Sequence, residues 1–272
     1  MRTVALIGDP VSHSVSPPMH RAAFRECGLD LDYLAIRVRA GELGRIFPTL
    51  QQQHLGLNVT RPLKEAVLPL MDAVTEEARL AHAVNTVSFT DGRSAGDITD
   101  GHGFLTALAR AGAPLSRSAV ILGTGGVARA IGFALHRSGA HVTIAGRTRP
   151  RARELAAELG GDDVRLDAAT LTPVLAESDL LVNATPVGGP GDEDRSPLPS
   201  GVGLHDRLTV FDVVYRPRVT PLLRAAVHAG ARSVEGVDML VEQGARSFEI
   251  WTGTPAPVDV MRTAALEALG EG

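Results

Sequence analysis

The chain has 272 residues, of which 44% are hydrophobic and 21% charged, a composition typical of a soluble globular protein with one large or two modest domains. A formal net charge of −4, without a run of lysine or arginine, argues against a nucleic-acid or membrane-binding surface, so we expect a small-molecule partner. Cys27 is the only cysteine, which leaves no internal disulfide or cysteine-based metal cluster and suits a reducing compartment. The opening apolar run stops at Gly8 and Pro10 and is too short for a signal peptide or a membrane span, so we expect a cytoplasmic protein. We also expect no bound metal.

Short apolar runs alternate with helical patterns in the first hundred residues. Strands are predicted over 3–8, 31–38 and 55–60, and helices over 16–28 and over 41–53, the second helix interrupted near Pro48. A further helix is predicted to begin at Pro62. This alternation is typical of an α/β fold with a mostly parallel sheet.

A second α/β series follows the loop 109–118. Its strands and helices are predicted over 118–123, 127–139, 140–146, 149–161, 179–186 and 208–215. The Pro- and Gly-rich stretch 186–201 is predicted to be a mobile loop. It is either a plain linker or, because it follows a strand of the second sheet, the border of a ligand crevice.

The stretch VILGTGGVARA (120–130) carries an apolar strand through Gly123, Thr124, Gly125 and Gly126 directly into a helix. Such a turn brings backbone amides and a helix amino end close to a pyrophosphate, so it predicts dinucleotide binding. The third glycine of the usual fingerprint is replaced by Ala128 or Val127, depending on the alignment. The alternative is a tight strand-to-helix turn without a ligand.

The end of the next predicted strand indicates which dinucleotide binds. Enzymes that use NAD commonly have an acidic residue there, about 20 residues beyond the glycines, for the adenosine ribose. This chain instead has Arg147, Thr148, Arg149 and Arg151, and arginine forks match the geometry of a 2′-phosphate. We therefore predict NADP as the cofactor. The alternative for each arginine is a solvated position at the start of the next helix, and Arg149 fits that alternative best.

The first series supplies polar groups that suit a small substrate. Asn58 and Thr60 are two apart on a predicted strand and project to one side, with Lys64 following. Ser14 and Ser16 are also two apart, and the proline after Ser16 favours an extended conformation there, so both hydroxyls can address one anionic group. The alternative for each pair is a helix cap.

Lys64 is predicted to lie in the first turn of a helix, where a positive charge is disfavoured by about 0.3 to 1 kcal/mol. Replacing it should therefore leave the stability unchanged or slightly raised. The choice lies between a functional lysine and one that simply extends into water.

Nine segments, in this order and spacing, resemble the motifs of shikimate dehydrogenases over nearly the whole chain: HSVSP, NVTRPLKE, AVNTV, GDITDG, GTGGVARA, GRTRPR, VNATP, FDVVY and GVDMLVEQG. The resemblance implies reversible, NADPH-dependent reduction of 3-dehydroshikimate to shikimate in the pathway to aromatic amino acids. It also implies a substrate-binding α/β domain over 1–101, completed by C-terminal helices over 238–272. A Rossmann-type NADP-binding domain would cover 102–237, with catalysis in the cleft between the two.

By this resemblance Lys64 and Asp100 form the catalytic pair. Ser14, Ser16 and Tyr215 would hold the substrate carboxylate, and the groups around the ring hydroxyls would be Asn58, Thr60, Asn85, Asp100 and Gln243. The cofactor would be held by the glycine turn with Val127, by Arg147, Thr148 and Arg151, and at the nicotinamide end by Thr185, Val213, Gly236 and Met239. The protein would be a monomer or a homodimer.

Two positions depart from the family pattern. Ile98 stands where the family usually has asparagine, two residues before Asp100, and Gly146 replaces the usual asparagine before Arg147. The first departure leaves the exact substrate open, with quinate and aminoshikimate as alternatives. A non-catalytic sensor of such acids is a third possibility, but a sensor is expected to have lost Lys64 and Asp100.

Overall fold

The computed structural model describes residues 2–114 and 116–270. The predicted first domain includes residues 1, 271 and 272, and the predicted loop 109–118 includes Leu115; these four positions lie outside the described residues. The chain divides into two compact units, one formed by residues 1–103 with 241–272 and the other by residues 104–240. We call them the first and the second unit.

Twelve strands and ten helices occur in the described residues. In chain order they are β1 (Arg2–Gly8), α1 (Ser16–Glu26), β2 (Leu31–Arg37), α2 (Leu43–Gln53), β3 (Gly56–Val59), β4 (Ala73–Val74), α3 (Glu76–Ala81), β5 (Thr86–Thr90), β6 (Arg93–Asp97), α4 (Asp100–Arg110), β7 (Ser118–Leu122), α5 (Gly126–Arg137), β8 (His141–Ala145), α6 (Arg149–Glu158), β9 (Asp162–Val164), α7 (Ala168–Ala176), β10 (Leu180–Asn183), β11 (Thr209–Asp212), α8 (Pro221–His228), β12 (Arg232–Val234), α9 (Gly236–Thr252) and α10 (Val258–Leu269). Two short 3₁₀ helices cover Ala40–Glu42 and Leu68–Leu70.

The sheet of the first unit has the order β2-β1-β3-β5-β6-β4. Strands β2, β1 and β3 are parallel, whereas β5 is antiparallel to both β3 and β6. The β5–β6 hairpin was not predicted, although its turn residues Asp91 and Gly92 both have positive φ, the conformation that an Asp-Gly hairpin turn requires. In this register the carboxyl ends of β1, β3 and β6 meet the amino end of β5 at one edge.

The sheet of the second unit is entirely parallel, with the order β12-β11-β10-β7-β8-β9. The chain starts in the middle at β7, winds outward through β8 and β9, and then returns to the other side of β7 with β10. This is the strand order of dinucleotide-binding folds, which bind their ligand where the winding reverses. Alternate residues of β7 enter different core clusters, Ile121 on one face and Val120 and Leu122 on the other, which explains the unbroken apolar run.

Three local predictions were wrong. No helix begins at Pro62: turns lead to the 3₁₀ helix at Leu68, because the Lys64 carbonyl accepts from Val84 N–H and so leaves the helical ladder. Pro48 does not interrupt α2, whose buried Leu43, Phe47 and Leu50 anchor the helix on both sides of the proline. Ser16 is the first residue of α1 and not extended, because the Met19 N–H already bonds to the Val15 carbonyl.

The predicted helices at 16–28, 127–139 and 149–161 agree with α1, α5 and α6 apart from their ends. Residues 184–208, all described, contain no helix or strand, so the stretch 186–201 is a loop as predicted. Helix α4, which carries Asp100, had no prediction, and neither had helices α3, α7 and α8 or strands β4, β9 and β12. Apart from α4, the unpredicted elements have at most nine residues. They are short or weakly patterned segments, for which periodicity carries little information.

Candidate active site

Lys64 and Asp100 form an ion pair in the first unit. The Lys64 Nζ donates to the Asp100 Oδ2 at 2.6 Å, and the two side chains are only 16% and 6% exposed. Lys64 lies in the turn that follows β3, and Asp100 is the first residue of α4. Since Lys64 does not lie in the first turn of a helix, the predicted helix-dipole penalty on its charge is wrong. The carboxylate of Asp100 instead stabilises that charge.

The two serines lie where α1 begins. The Ser16 N–H donates to the Ser14 Oγ at 3.2 Å, so the Ser14 hydroxyl keeps its own proton for another partner. Ser14 is half-buried and Ser16 is 6% exposed. Because Pro17 and Pro18 have no N–H, an anion at this helix start would meet mainly hydroxyl donors.

Asn58 and Asn85 are buried in a polar network at the strand edge. The Asn58 Nδ2 donates to the Asn85 carbonyl at 3.1 Å and to the Ser247 Oγ at 3.1 Å. The Asn85 Nδ2 donates to the Thr99 Oγ1 at 3.0 Å, and the Asn85 Oδ1 accepts from the Thr99 N–H at 2.9 Å. These amides are therefore held in fixed orientations by the fold itself.

Helix α9 brings Gln243 to the same network. Its Oε1 lies 3.3 Å from the Asn85 Nδ2. A Cβ atom on Gly103 would lie 2.6 Å from the Gln243 nitrogen, and one on Gly244 would lie 2.5 Å from the Met19 Cε, so glycine at both positions lets the helices approach closely. Sequence reasoning missed Ser247, which hydrogen-bonds to the network from the next turn of α9. It also missed Thr86 and Thr99, although these lie inside the motifs AVNTV and GDITDG.

Thr60 directly follows β3. Its N–H donates to the Ile7 carbonyl and its carbonyl accepts from Leu63, while its hydroxyl has no hydrogen-bond partner among the described residues. Ile98 is 5% exposed, and its N–H donates to the Asp97 Oδ1 at 2.6 Å. The N–H groups of Ile98 and Thr99, in the loop that leads to Asp100, thus donate to the side chains of Asp97 and Asn85, without an amide side chain at position 98.

The glycine turn of the second unit lies between β7 and α5. Gly123 has φ of 121°, donates to the Ala145 carbonyl at 2.8 Å, and would place a Cβ only 3.1 Å from the Ala184 carbonyl oxygen. A side chain there would strain the turn and crowd the neighbouring loop. Among the described residues nothing lies within 4 Å of a Cβ built on Gly125, the residue before α5, so this surface is open to a ligand.

Ala128 occupies the third position of the fingerprint. It is fully buried in the core between α5 and the sheet, as the close helix–sheet packing of that position requires. Val127 and Thr124 are only partly buried beside the turn. The structure thus settles the alternative that the sequence left open, in favour of Ala128.

The arginines after β8 differ in their partners. Arg149 lies 3.2 Å from the Asp163 carboxylate on β9, measured from Nε to Oδ2, so it has a structural partner. Arg147 and Arg151 are exposed and have no ion-pair partner among the described residues. Thr148 precedes α6, whose first turn has no side-chain cap among these residues. Exposed arginines and free helix N–H groups together favour a phosphate.

The loops after β10 and β11 are joined by a buried network. The Asn183 Nδ2 donates to the Asp212 Oδ1 at 2.9 Å, and the Asn183 Oδ1 accepts from the N–H and hydroxyl of Thr185. The Asp212 carboxylate also accepts from the Val214 N–H and the Thr220 hydroxyl. Burial raises the pKa of Asp212 to about 6 despite these donors.

The remaining predicted cofactor residues lie beside this network. A Cβ on Gly236 would lie 2.5 Å from the Val214 carbonyl oxygen and 2.7 Å from that of Val213, so glycine is needed there. Met239 is 5% exposed and belongs to the core cluster against which Val213 packs. Tyr215 is half-buried and belongs to the second unit, unlike the serines with which it was predicted to hold a carboxylate.

Gly146, the second departure from the family pattern, has a local explanation. A Cβ there would lie 3.0 Å from the Thr124 Cγ2, so a side chain would have to displace Thr124 in the glycine turn. Elsewhere, no cluster of three or more potential metal ligands occurs in the described residues. Nor is any helix among them long and apolar enough to cross a bilayer.

Comparison with known proteins identifies the family. Three family models match: a shikimate dehydrogenase substrate binding domain over 6–87, a shikimate/quinate 5-dehydrogenase over 107–190, and a shikimate 5′-dehydrogenase C-terminal domain over 236–266. The shikimate dehydrogenase (NADP(+)) of Methanopyrus kandleri is 48% identical over 276 residues, which cover 98% of this chain and 95% of that protein. The chain belongs to the shikimate dehydrogenase family.

Solved structures in this family match the fold throughout. The shikimate 5-dehydrogenase of Thermus thermophilus, in complex with NADP(H) and shikimate, has a TM-score of 0.93 at 40% identity and covers 98% of this chain and 100% of its own. Quinate dehydrogenase from Corynebacterium glutamicum, in complex with NAD, has a TM-score of 0.86 at 33% identity, with coverage of 98% and 99%. The predicted family, the α/β fold class and an NADP-dependent oxidoreductase that acts on a CH–OH group are confirmed.

Proposed function

We propose that the chain catalyses the reversible reduction of 3-dehydroshikimate to shikimate with NADPH. The observation that carries this proposal is the Lys64–Asp100 pair, held at 2.6 Å in a largely buried position. An ammonium in such a position can stabilise and then protonate an oxygen that gains negative charge.

In the proposed reaction, bound NADPH supplies a hydride to the ketone carbon. Lys64 donates a proton to the carbonyl oxygen, which becomes the hydroxyl of shikimate, and the neutral amine then recovers a proton from solvent. In the reverse direction the Lys64 amine accepts the hydroxyl proton. Asp100 keeps the Lys64 Nζ in place and offsets its charge, so the two residues act as one unit.

The first unit would be the substrate-binding domain, and the substrate would lie against it. Ser14 and Ser16 would bind the carboxylate, and the uncommitted proton of Ser14 supports a donor role. The ring hydroxyls would be surrounded by Asn58, Thr60, Asn85, Asp100 and Gln243. Asn58 and Asn85 already use most of their hydrogen-bonding capacity within the fold, so we propose that they mainly orient this pocket.

The second unit would be the NADP-binding domain. The pyrophosphate would lie at Gly123, Thr124, Gly125, Gly126 and Val127, where the open surface at Gly125 supports close approach. Arg147, Thr148 and Arg151 would bind the 2′-phosphate. Thr185, Val213, Gly236 and Met239 would line the nicotinamide end. Thr185 and Val213 lie on the loops that the Asn183–Asp212 network fixes, and Gly236 and Met239 lie in the first turn of α9.

The test is the rate of absorbance change at the NADPH band with 3-dehydroshikimate, shikimate, quinate and aminoshikimate, each with both nicotinamide cofactors. We expect the highest kcat/KM for 3-dehydroshikimate with NADPH. A preference for quinate with NAD would assign the chain to a different activity of the family. Specific binding of shikimate without turnover would indicate a sensor.

We also propose that the enzyme works in the cytoplasm as a monomer or a homodimer. The single cysteine supports a reducing compartment. Light scattering coupled to size-exclusion chromatography would give the mass in solution, and a mass above that of a dimer would contradict the assembly proposal.

A further inference from the structure

Three consecutive residues before Asp100 are fixed by hydrogen bonds. The Asp97 Oδ1 accepts from the Ile98 N–H at 2.6 Å, and the Asp97 carbonyl accepts from the Asn85 N–H at 3.0 Å. The Thr99 N–H donates to the Asn85 Oδ1 at 2.9 Å. Asp100 follows as the first residue of α4. The position of its carboxylate therefore depends on how this loop is held.

Thr75 holds the Asp97 side chain from outside the loop. The Thr75 hydroxyl donates to the Asp97 Oδ1 at 3.1 Å. Thr75 is itself fixed, because its N–H donates to the Gly96 carbonyl at 3.0 Å and its Oγ1 accepts from the Ala78 N–H at 3.2 Å, as the N-cap of α3. One oxygen of Asp97 thus joins the start of α3 to the loop that carries Asp100.

The other half of the ion pair is attached one residue away. The Lys64 carbonyl accepts from the Val84 N–H at 2.8 Å, and Val84 directly precedes Asn85. Two adjacent residues therefore hold both the turn of Lys64 and the loop of Asp100. The 2.6 Å contact between Lys64 Nζ and Asp100 Oδ2 depends on both attachments, and Asp97 belongs to the second.

The attachment through Asp97 matters more in this chain because of Ile98. The Ile98 side chain is apolar and 5% exposed, so it offers no hydrogen bond to the loop. Without the Asp97 Oδ1, the Ile98 N–H would lose its acceptor in a nearly buried position. An unpaired N–H in such a position costs free energy, and the loop can relieve that cost only by moving. A movement of the loop would move Asp100 with it.

We propose that Asp97 is a positioning residue for the catalytic pair, which places the Asp100 carboxylate against Lys64. The inference rests on the proposed function of the chain and adds to it a second carboxylate that acts through Asp100 and not on the substrate. The Thr75 hydroxyl supports Asp97 in this role.

The test is Asp97→Ala, assayed for shikimate oxidation with NADP⁺. We expect kcat to fall about 10- to 100-fold, the effect of a catalytic group misplaced by about 1 Å, with the KM for shikimate and for NADP⁺ within about threefold of wild type. Asp97→Asn keeps an oxygen that can accept both bonds, so it should bring kcat back to within about threefold of wild type. In the Lys64→Met background, where the pair is already lost, Asp97→Ala should lower kcat by less than about twofold further.

Asp72→Ala is the matched control. The Asp72 Oδ2 also accepts from one N–H and one hydroxyl, both of Ser94, at 2.7 and 2.9 Å. This variant should lower the melting temperature and keep the wild-type kcat. A wild-type kcat in Asp97→Ala would overturn the proposal. An equal fall of kcat in the Lys64→Met background would also overturn it, because Asp97 would then act independently of the pair.

Should Asp97→Ala not give folded protein, Thr75→Val replaces it, since it removes the hydroxyl donor and retains the shape of the side chain. We expect kcat to fall about 3- to 10-fold in Thr75→Val and to recover in Thr75→Ser, and a wild-type kcat in Thr75→Val would refute the inference. A wild-type chain that prefers quinate would contradict the proposed substrate alone, and the same variants would then be assayed with quinate. A wild-type chain that turns over none of the four compounds would overturn both proposals.

Discussion

Replacing Lys64 should separate catalysis from stability. In Lys64→Met the charge is lost and the aliphatic bulk is retained, and we expect kcat to fall by about 10² to 10⁴, which corresponds to about 3 to 5 kcal/mol of transition-state stabilisation. The KM should change much less, because Lys64 acts on an oxygen whose charge develops only in the transition state. The assay is steady-state oxidation of shikimate, with Lys64→Arg as the variant that retains the charge.

The structure also changes the expected effect on stability. The sequence predicted an unchanged or slightly raised stability, because Lys64 was placed at a helix amino end. The Asp100 side chain is 6% exposed, so Lys64→Met leaves a nearly buried carboxylate without its partner. We expect a loss of about 3 kcal/mol, the low end for a broken buried pair because the 16% exposure of Lys64 admits some water. This corresponds to a fall in melting temperature of about 6 to 12 °C.

Asp100→Asn in the Lys64→Met background provides the decisive comparison. The double variant has no unpaired charge, so it should recover most of the lost stability while kcat stays low. If kcat recovers together with stability, the pair serves only the fold and the proposed proton transfer is wrong. If Lys64→Met raises KM and leaves kcat near the wild-type value, Lys64 only binds substrate.

Three further predictions concern other parts of the molecule. Ser14→Ala should raise the KM for shikimate by the equivalent of about 1 to 3 kcal/mol, and an unchanged KM would reject its role toward the carboxylate. Alanine at both Arg147 and Arg151 should raise the KM for NADPH far more than that for NADH. Arg149→Ala, which removes one of the two arginines paired with Asp163, should affect both cofactors about equally. Burial raises the pKa of Asp212 from 3.8 to about 6, so its contribution to stability is full below pH 4 and is lost as the pH rises through 6. The free energy of unfolding of Asp212→Asn relative to wild type should therefore increase between pH 4 and 7 by up to about 3 kcal/mol, and its relative melting temperature should rise with it. A pH-independent difference would contradict this reasoning.

The sequence by itself determined much of the second unit. Its strands are buried on both faces and therefore read as continuous apolar runs, and Gly123 marks a backbone conformation that few other residues adopt. The cofactor prediction needed only the absence of an acid and the presence of Arg147 and Arg151 at one strand end. The motifs and their order were enough to predict the family, because each motif is a short segment of neighbouring residues that can be recognised without knowing the fold.

Only the tertiary structure decided how the first unit holds its polar residues. The expected helix at Pro62 is missing because the Lys64 carbonyl bonds to Val84, twenty residues further along the chain, and local propensity cannot anticipate such a bond. Tyr33 reads in the sequence as an ordinary strand residue, and its hydroxyl can donate to the Asn58 Oδ1 only because β2, β1 and β3 are adjacent and in register. Hydrogen bonds between distant segments depend on which strands become neighbours, and that is determined by the packing of the whole domain.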